Sequence, residues 1–102
     1  MLKTERKPAS VGEILVEEFL TPLNLTQGAL AEAMGVPRRL VNELCRDRRA
    51  VTADTALMLA RVFGNTPEFW LNTQRRTDLW EAWHTPKRRQ RIERARALQV
   101  AG

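Results

Sequence analysis

The side chains with the clearest chemistry lie between residues 38 and 46. Arginine can pair with guanine through two hydrogen bonds, asparagine can pair in the same way with adenine, and glutamate can accept a hydrogen bond from cytosine. The residues that we expect to contact base edges are Arg38, Arg39, Asn42 and Glu43. For each of them the alternative is a solvated helix face or a phosphate contact, and for Glu43 it is also the orientation of a neighbouring arginine.

A second group of polar residues suits the phosphate backbone of DNA. Contacts of this kind fix the orientation of a protein on the duplex and carry no sequence information. A helix that begins after Thr52 would also direct free backbone N–H groups toward a phosphate. The expected phosphate contacts are Gln27, Arg46, Arg48, Arg49 and Thr52.

Two short helices joined at Gly35 must position these side chains. The segment QGALAEAMGVPRRLVNELCR, residues 27–46, has the small Ala31 where two helices cross, glycine at the turn, and Pro37 in the first turn of the second helix. The expected apolar filling between the helices is Leu30, Val36, Val41 and Leu44. This is the helix-turn-helix pattern, whose second helix enters the major groove. A generic pair of packed helices is the alternative.

Helix signals flank this pair, whereas strand signals are nearly absent. A first helix is predicted from about Val11 to Leu20, with Ser10 and Glu13 as a capping box. Its expected buried stripe is Val11, Ile14, Leu15 and Phe19. Thr26 caps the second helix. The sequence therefore predicts an all-α domain.

Two more helices are predicted after residue 51. Thr52 and Gly64 bound a fourth helix, and its expected apolar face is Ala56, Leu57, Ala60 and Phe63. Thr66 and Pro67 open a fifth helix that runs to about Trp83. This helix has more aromatic surface than one small domain needs, so part of it is expected to contact a second copy of the chain. The residues assigned to this dimer interface are Phe69, Trp70 and Leu79.

Charge divides the chain into two parts. The net charge is +5, and residues 1–83 contain 11 Lys/Arg and 11 Asp/Glu, whereas residues 84–102 contain 6 Lys/Arg and one Asp/Glu. We therefore predict a DNA-binding and dimerisation domain over 1–83 and a basic tail over 84–102, helical or disordered. The sequence leaves two alternatives for this tail: it is solvated, or it binds the DNA backbone in addition to the domain.

Several other classes of function find little support. The sequence contains one cysteine, Cys45, and one histidine, His84, so neither an internal disulfide nor a Cys/His zinc site is expected. These two residues do not suggest an enzyme active site, and no cofactor or small-molecule substrate is expected. No apolar segment reaches the roughly 20 residues of a membrane span, and the N-terminus lacks a secretory signal. A cytoplasmic location is the expectation.

The segments GEILVEEFL, LTQGALAEAMGVPRRLVNEL and RRAVTADTALMLARVFGNTPEFWLN resemble the HigA family of antitoxins, a part of the Xre and Cro/C1-type repressors. The resemblance covers about Gly12 to Leu79 and is most specific in TADTALMLAR and NTPEFWLN. It implies a dimeric, five-helix, lambda-repressor-like protein that represses its own operon and neutralises a HigB-like, ribosome-dependent mRNA-cleaving toxin. The chain departs from the family in having Asp47 and Ala50 where glycines are usual, Ser10 and Val11 for His-Pro, and an arginine-rich tail.

Two functional hypotheses therefore stand beside each other. In the first, a stand-alone repressor binds palindromic DNA as a homodimer and has no toxin partner. In the second, the protein also binds a toxin. The acidic first helix favours the second hypothesis because it would complement a basic RNA-cleaving partner, although ordinary surface charge is the alternative. The candidate toxin contacts are Glu13, Glu17 and Glu18.

Overall fold

Six helices form the regular structure of residues 6–99, the part of the chain that this computed structural model describes. Helix α1 continues directly into a π-helical segment, and the helices span α1 Val11–Ile14 with its π-helical continuation Leu15–Leu20, α2 Gln27–Met34, α3 Arg38–Cys45, α4 Ala53–Phe63, α5 Pro67–His84 and α6 Pro86–Glu93. The first five follow the predicted order and chemistry. The predicted number of five is wrong by one, because α6 lies in the segment assigned to the tail.

A proline separates α5 from α6. The residue before a proline is sterically kept out of the helical region, and Thr85 accordingly has φ −96° and ψ 113°. Pro86 then occupies the first position of α6, where its missing N–H costs no intrahelical hydrogen bond. Lysine, arginine and glutamine in the following turn favour helix, so the chain resumes helical geometry in a new direction.

The predicted helix caps are confirmed. The Ser10 hydroxyl accepts a hydrogen bond from the Glu13 N–H at 3.1 Å, and Glu13 accepts one from the Ser10 N–H, which completes the capping box. Gly35 and Gly64 both end their helices in the left-handed conformation, at φ 74° and 71°. The remaining N-caps fall on the predicted threonines, Thr26, Thr52 and Thr66. These local signals therefore set the boundaries of most of the helices.

The π-helical segment changes which residues of the first helix face inward. Leu15 and Leu20 are both buried, with 0% and 6% of their surface exposed. In an α-helix, residues five apart point about 140° away from each other, whereas the wider π-turn pairs residues i and i+5. The backbone hydrogen bond from the Thr21 N–H to the Val16 carbonyl shows this wider spacing. The widened turn thus brings Leu20 into the core beside the predicted stripe, in which Phe19 is half-buried.

The hydrophobic core lies between the first five helices. Its largest fully buried side chains are Trp70, Leu15, Leu30, Leu44, Leu59 and Val41. In α4, however, Leu57 is 58% exposed, so its assignment to the apolar face was wrong. Ala56, Leu59 and Ala60 are spaced i, i+3 and i+4 and form the buried face, whereas Leu57 lies about 100° away from Ala56 around the helix.

Trp70 belongs to the core of the protomer. Its indole is completely buried, and its ring packs against Phe19, Phe63 and Phe69 at centroid distances of 5.1, 6.0 and 5.0 Å. The indole N–H donates a hydrogen bond to the Asn65 side chain at 3.0 Å. Its assignment to a dimer interface is therefore corrected, because a side chain without exposed surface in the protomer offers none to a partner. Phe69 and Leu79, in contrast, are 36% and 45% exposed.

Candidate nucleic-acid interface

Helices α2 and α3 pack as the helix-turn-helix pattern requires. Leu30, Ala31, Val41 and Leu44 are buried between and beneath them, and Val36 packs half-buried at the turn. The Val36 N–H donates to the Ala31 carbonyl at 3.0 Å, which closes the turn after Gly35. Pro37 lies one residue earlier than predicted, at the N-cap of α3 with ψ 145°, and Arg38 is the first helical residue. Arg38 and Arg39 are consequently the first two residues of α3.

The outward face of α3 carries the predicted base contacts. Arg38 and Arg39 are exposed, Asn42 and Glu43 are half-buried on the same short helix, and Arg46 is exposed at its C-cap. The Arg39 side chain is 85% exposed, so it is accessible to a binding partner. The geometry therefore brings these five residues together on one surface that a DNA groove could accept.

Glu43 connects two arginines. One carboxylate oxygen accepts from Arg39 Nε at 3.2 Å, and the other accepts from Arg49 Nε at 2.8 Å and lies 2.7 Å from Arg49 Nη2. The hydrogen bond from Arg49, followed by that from Arg39, holds the pKa of Glu43 below its ordinary value despite some desolvation. Both oxygens are thus engaged by cations, an arrangement that favours orientation of the arginines over direct contact with cytosine.

Asn42 and Gln27 form one unit, although from the sequence Asn42 was expected to contact bases and Gln27 to contact phosphate. The Asn42 amide nitrogen donates to Gln27 Oε1 at 3.1 Å, across 15 residues of sequence. Gln27 is the first residue of α2, and its contact fixes the rotamer of the asparagine in the middle of α3. The bond leaves the Asn42 carbonyl oxygen and the Gln27 amide group with hydrogen-bonding capacity of their own.

The loop after α3 is tethered to the first helix by Asp47. This residue adopts φ 56°, a conformation that aspartate tolerates better than most residues. Its carboxylate accepts hydrogen bonds from the Ser10 hydroxyl at 2.6 Å and from the Gly12 N–H at 2.8 Å. An aspartate in place of the usual glycine therefore gives the turn its backbone conformation and adds a side-chain anchor.

The other end of the same loop is tethered to α5. The Gln74 side chain accepts a hydrogen bond from the Val51 N–H and donates one to the Val51 carbonyl at 3.0 Å. Asp47 and Gln74 thus hold the segment with Arg48 and Arg49 from both sides. Neither tether was predicted from the sequence: the aspartate at position 47 was a signal for the first, whereas nothing local marked Gln74.

The N-terminus of α4 was expected to contribute to phosphate binding through Thr52. The structure gives Thr52 a capping role: its hydroxyl accepts from the Thr55 N–H at 3.2 Å, and its own N–H donates to Thr55 Oγ1 at 2.8 Å. Asp54 in the same first turn places a carboxylate near this helix end. That negative charge opposes a phosphate there, so this part of the predicted contact set has the weakest support.

The acidic candidates occupy the first helix. Glu13 is engaged in the capping box, whereas Glu17 and Glu18 are exposed on the π-helical segment. Within residues 6–99 no group of His, Cys, Asp and Glu is arranged to hold a metal ion. Burial, followed by the charge of Asp47, raises the pKa of the Cys45 thiol and so disfavours its thiolate. None of the helices over this range is long and apolar enough to cross a membrane.

Comparison with known proteins relates the chain to helix-turn-helix proteins and to antitoxins. The helix-turn-helix family matches residues 16–71. Antitoxin HigA-1 of Vibrio cholerae is 54% identical over 81 residues, which cover 79% of this chain and 76% of that protein. The structure of antitoxin GraA in complex with its operator superposes with a TM-score of 0.84 at 39% identity, over 98% of this chain and all of that one. Pseudomonas aeruginosa antitoxin HigA with the higBA promoter superposes with a TM-score of 0.81 at 33% identity, over 91% of this chain and 100% of that one.

Proposed function

Because this chain belongs to the HigA family of Xre-type helix-turn-helix antitoxins, we propose that it represses its own operon and neutralises a HigB-like mRNA-cleaving toxin in the cytoplasm. The family consists of DNA-binding regulators, and the proposal concerns the operator of this chain, its toxin and the residues that bind each of them. The two related structures with operator or promoter DNA support the DNA-binding part of this proposal.

One observation carries the DNA-binding part of the proposal. Helix α3 presents Arg38 and Arg39 outward at its N-terminal end, where a recognition helix meets base edges. Glu43 and Gln27 hold Arg39 and Asn42 in defined positions before any DNA is bound. We assign base contacts to Arg38, Arg39 and Asn42, and phosphate contacts to Arg46, Arg48 and Arg49.

Two arginine variants test this division of roles. Arg39→Ala is expected to weaken operator binding by roughly 1–3 kcal/mol while leaving binding to unrelated DNA almost unchanged, because a base contact is lost. Arg48→Ala is expected to weaken both equally and to reduce the salt dependence, because a phosphate contact is lost. Titration of both variants on operator and scrambled duplexes, at several salt concentrations, measures the difference. Equal losses on both duplexes for Arg39→Ala would remove this residue from the base contacts.

A palindromic operator requires a dimer whose recognition helices are about 34 Å apart. We propose that the exposed Phe69 and Leu79 of α5 contribute to the dimer interface. The double variant Phe69→Ser/Leu79→Ser should then be monomeric by light scattering and bind the operator more weakly, because each half-site would be bound independently. Leu57→Ser, at a comparably exposed leucine on α4, serves as control. An unchanged dimer mass for the double variant would contradict the interface.

The toxin part of the proposal depends on family membership and on the exposed carboxylates Glu17 and Glu18. Glu17→Gln/Glu18→Gln should weaken co-purification with the toxin encoded beside this gene and reduce rescue of growth on co-expression. Glu32→Gln/Glu68→Gln removes the same charge from exposed positions on α2 and α5 and should leave both readouts unchanged. If the unmodified protein neither rescues growth nor forms a complex, the chain is a stand-alone repressor, the alternative function.

A further inference from the structure

Helix α6 follows the end of α5 that lies near the loop assigned to phosphate contacts. Glu81 of α5 lines a cleft of about 340 Å³ together with Arg48 and Arg49. The same glutamate forms an ion pair with Lys7 at 3.1 Å. Its carbonyl accepts a hydrogen bond from the Thr85 hydroxyl, one turn further along and directly before α6. The basic helix therefore starts about one helical turn beyond the part of α5 that borders the arginine loop.

Most of the charges of α6 lie on two faces, and Arg88 lies between them. Arg89 lies over the Trp83 ring, with its guanidinium carbon 4.5 Å from the ring centroid, and its Nε is 3.4 Å from a Glu93 oxygen. At 100° per residue, Lys87, Arg91 and Arg94 lie within about 60° of one another, on the side roughly opposite Arg89 and Glu93. In the described residues every position of α6 is exposed, and its recorded ion pair is the one between Arg89 and Glu93. One face is thus internally balanced, and the other is uniformly cationic.

We propose that the Lys87, Arg91 and Arg94 face binds phosphate groups of the DNA duplex beside the operator half-site. The face spans about 10 Å along the helix axis, a length over which duplex DNA carries about six phosphates. The helix that carries this face begins about one turn after Glu81, which lines the same cleft as Arg48 and Arg49. A basic protein such as the proposed toxin has no complementary charge for it, whereas a polyanion does. This inference rests on the proposed operator binding.

A pair of double variants with equal net charge tests the proposal in the full-length protein. Lys87→Gln/Arg91→Gln removes two charges from the cationic face, whereas Arg61→Gln/Arg89→Gln removes two exposed charges from α4 and from the balanced face of α6. Operator affinity is measured between 50 and 400 mM salt for both. Loss of two phosphate contacts per protomer should reduce the slope of log affinity against log salt by about 1.8 per protomer and lower affinity at 0.1 M salt on the order of 10- to 100-fold per protomer.

The control variant is expected to keep nearly the wild-type slope, and both variants should keep the wild-type melting temperature because the four positions are exposed. Unchanged slopes for Lys87→Gln/Arg91→Gln, or equal reductions in both variants, would overturn the proposal. Single-stranded RNA of equal length is titrated in parallel, and a loss confined to RNA would also overturn it. If the wild-type protein does not bind the operator, the proposed function fails; if it binds and the slopes agree, only the present inference fails.

Discussion

Replacing Trp70 by alanine should lower the free energy of unfolding by about 3–5 kcal/mol, the usual loss for a buried aromatic side chain. The indole has no exposed surface and is enclosed by Phe19, Phe63 and Phe69, so its removal leaves a cavity that these rings cannot fill without moving. For a domain of this size the melting temperature should fall by at least about 12 °C. Thermal and urea denaturation followed by circular dichroism measure both quantities.

Two further variants locate the cause of that loss. Trp70→Phe keeps most of the ring packing and removes the hydrogen bond to Asn65, so it should cost much less than the alanine variant. Leu57→Ala, at a side chain that is 58% exposed, should change stability by less than about 0.5 kcal/mol. Stability of Trp70→Ala close to the wild-type value would show that this tryptophan is not a core residue.

A methyl group at Gly12 should damage both folding and DNA binding. A Cβ at this position would lie 2.5 Å from the Cys45 carbonyl oxygen and 2.9 Å from the Asp47 carboxylate. The first of these neighbours is backbone, so the first helix and the end of α3 must separate. Overpacking of this kind costs about 1–3 kcal/mol. The hydrogen bond between the Gly12 N–H and Asp47 would also lengthen, and operator affinity should fall with it because the arginine loop loses its anchor.

Gly28→Ala is the matched control for Gly12→Ala. Both glycines are the second residue of a helix whose N-cap is a serine or threonine. The nearest atom to a Cβ at Gly28, however, is Thr26 Oγ1 at 4.0 Å, so alanine fits there and should stabilise the helix by up to about 1 kcal/mol. For Gly28→Ala, stability and operator affinity should therefore rise or stay unchanged, whereas both should fall for Gly12→Ala. Calorimetry and operator titration measure these two quantities. Equal stability of the two variants would contradict the close approach at Gly12.

The sequence was most informative where structure depends on neighbouring residues. Ser10, Thr26, Thr52 and Thr66 mark helix starts because their hydroxyls bind N–H groups two or three residues on, a pattern visible in the sequence itself. Gly35 and Gly64 mark ends for an equally local reason, the left-handed conformation. The helix-turn-helix and the grouping of arginines on α3 could therefore be predicted from the order of residues alone.

Features that depend on distant residues could not be predicted in this way. The burial of Trp70 depends on rings from the first helix and α4, and an aromatic surplus in one helix reads equally well as core or as interface. The hydrogen bonds of Asp47 with Ser10 and of Gln74 with Val51 span 37 and 23 residues. The exposure of Leu57 follows from the rotation of α4 about its own axis. The sequence of α4 alone does not determine this rotation to within one residue.

The two tethers of the arginine loop have a thermodynamic consequence for recognition. Ordering a flexible segment when a complex forms costs about 1–2 kcal/mol per residue in backbone conformational entropy. Asp47 and Gln74 restrict both ends of the segment in the free protein, so Arg48 and Arg49 have already lost much of that freedom before they meet a phosphate. Folding itself thus preorganises this surface, and more of the electrostatic attraction is left to appear as affinity.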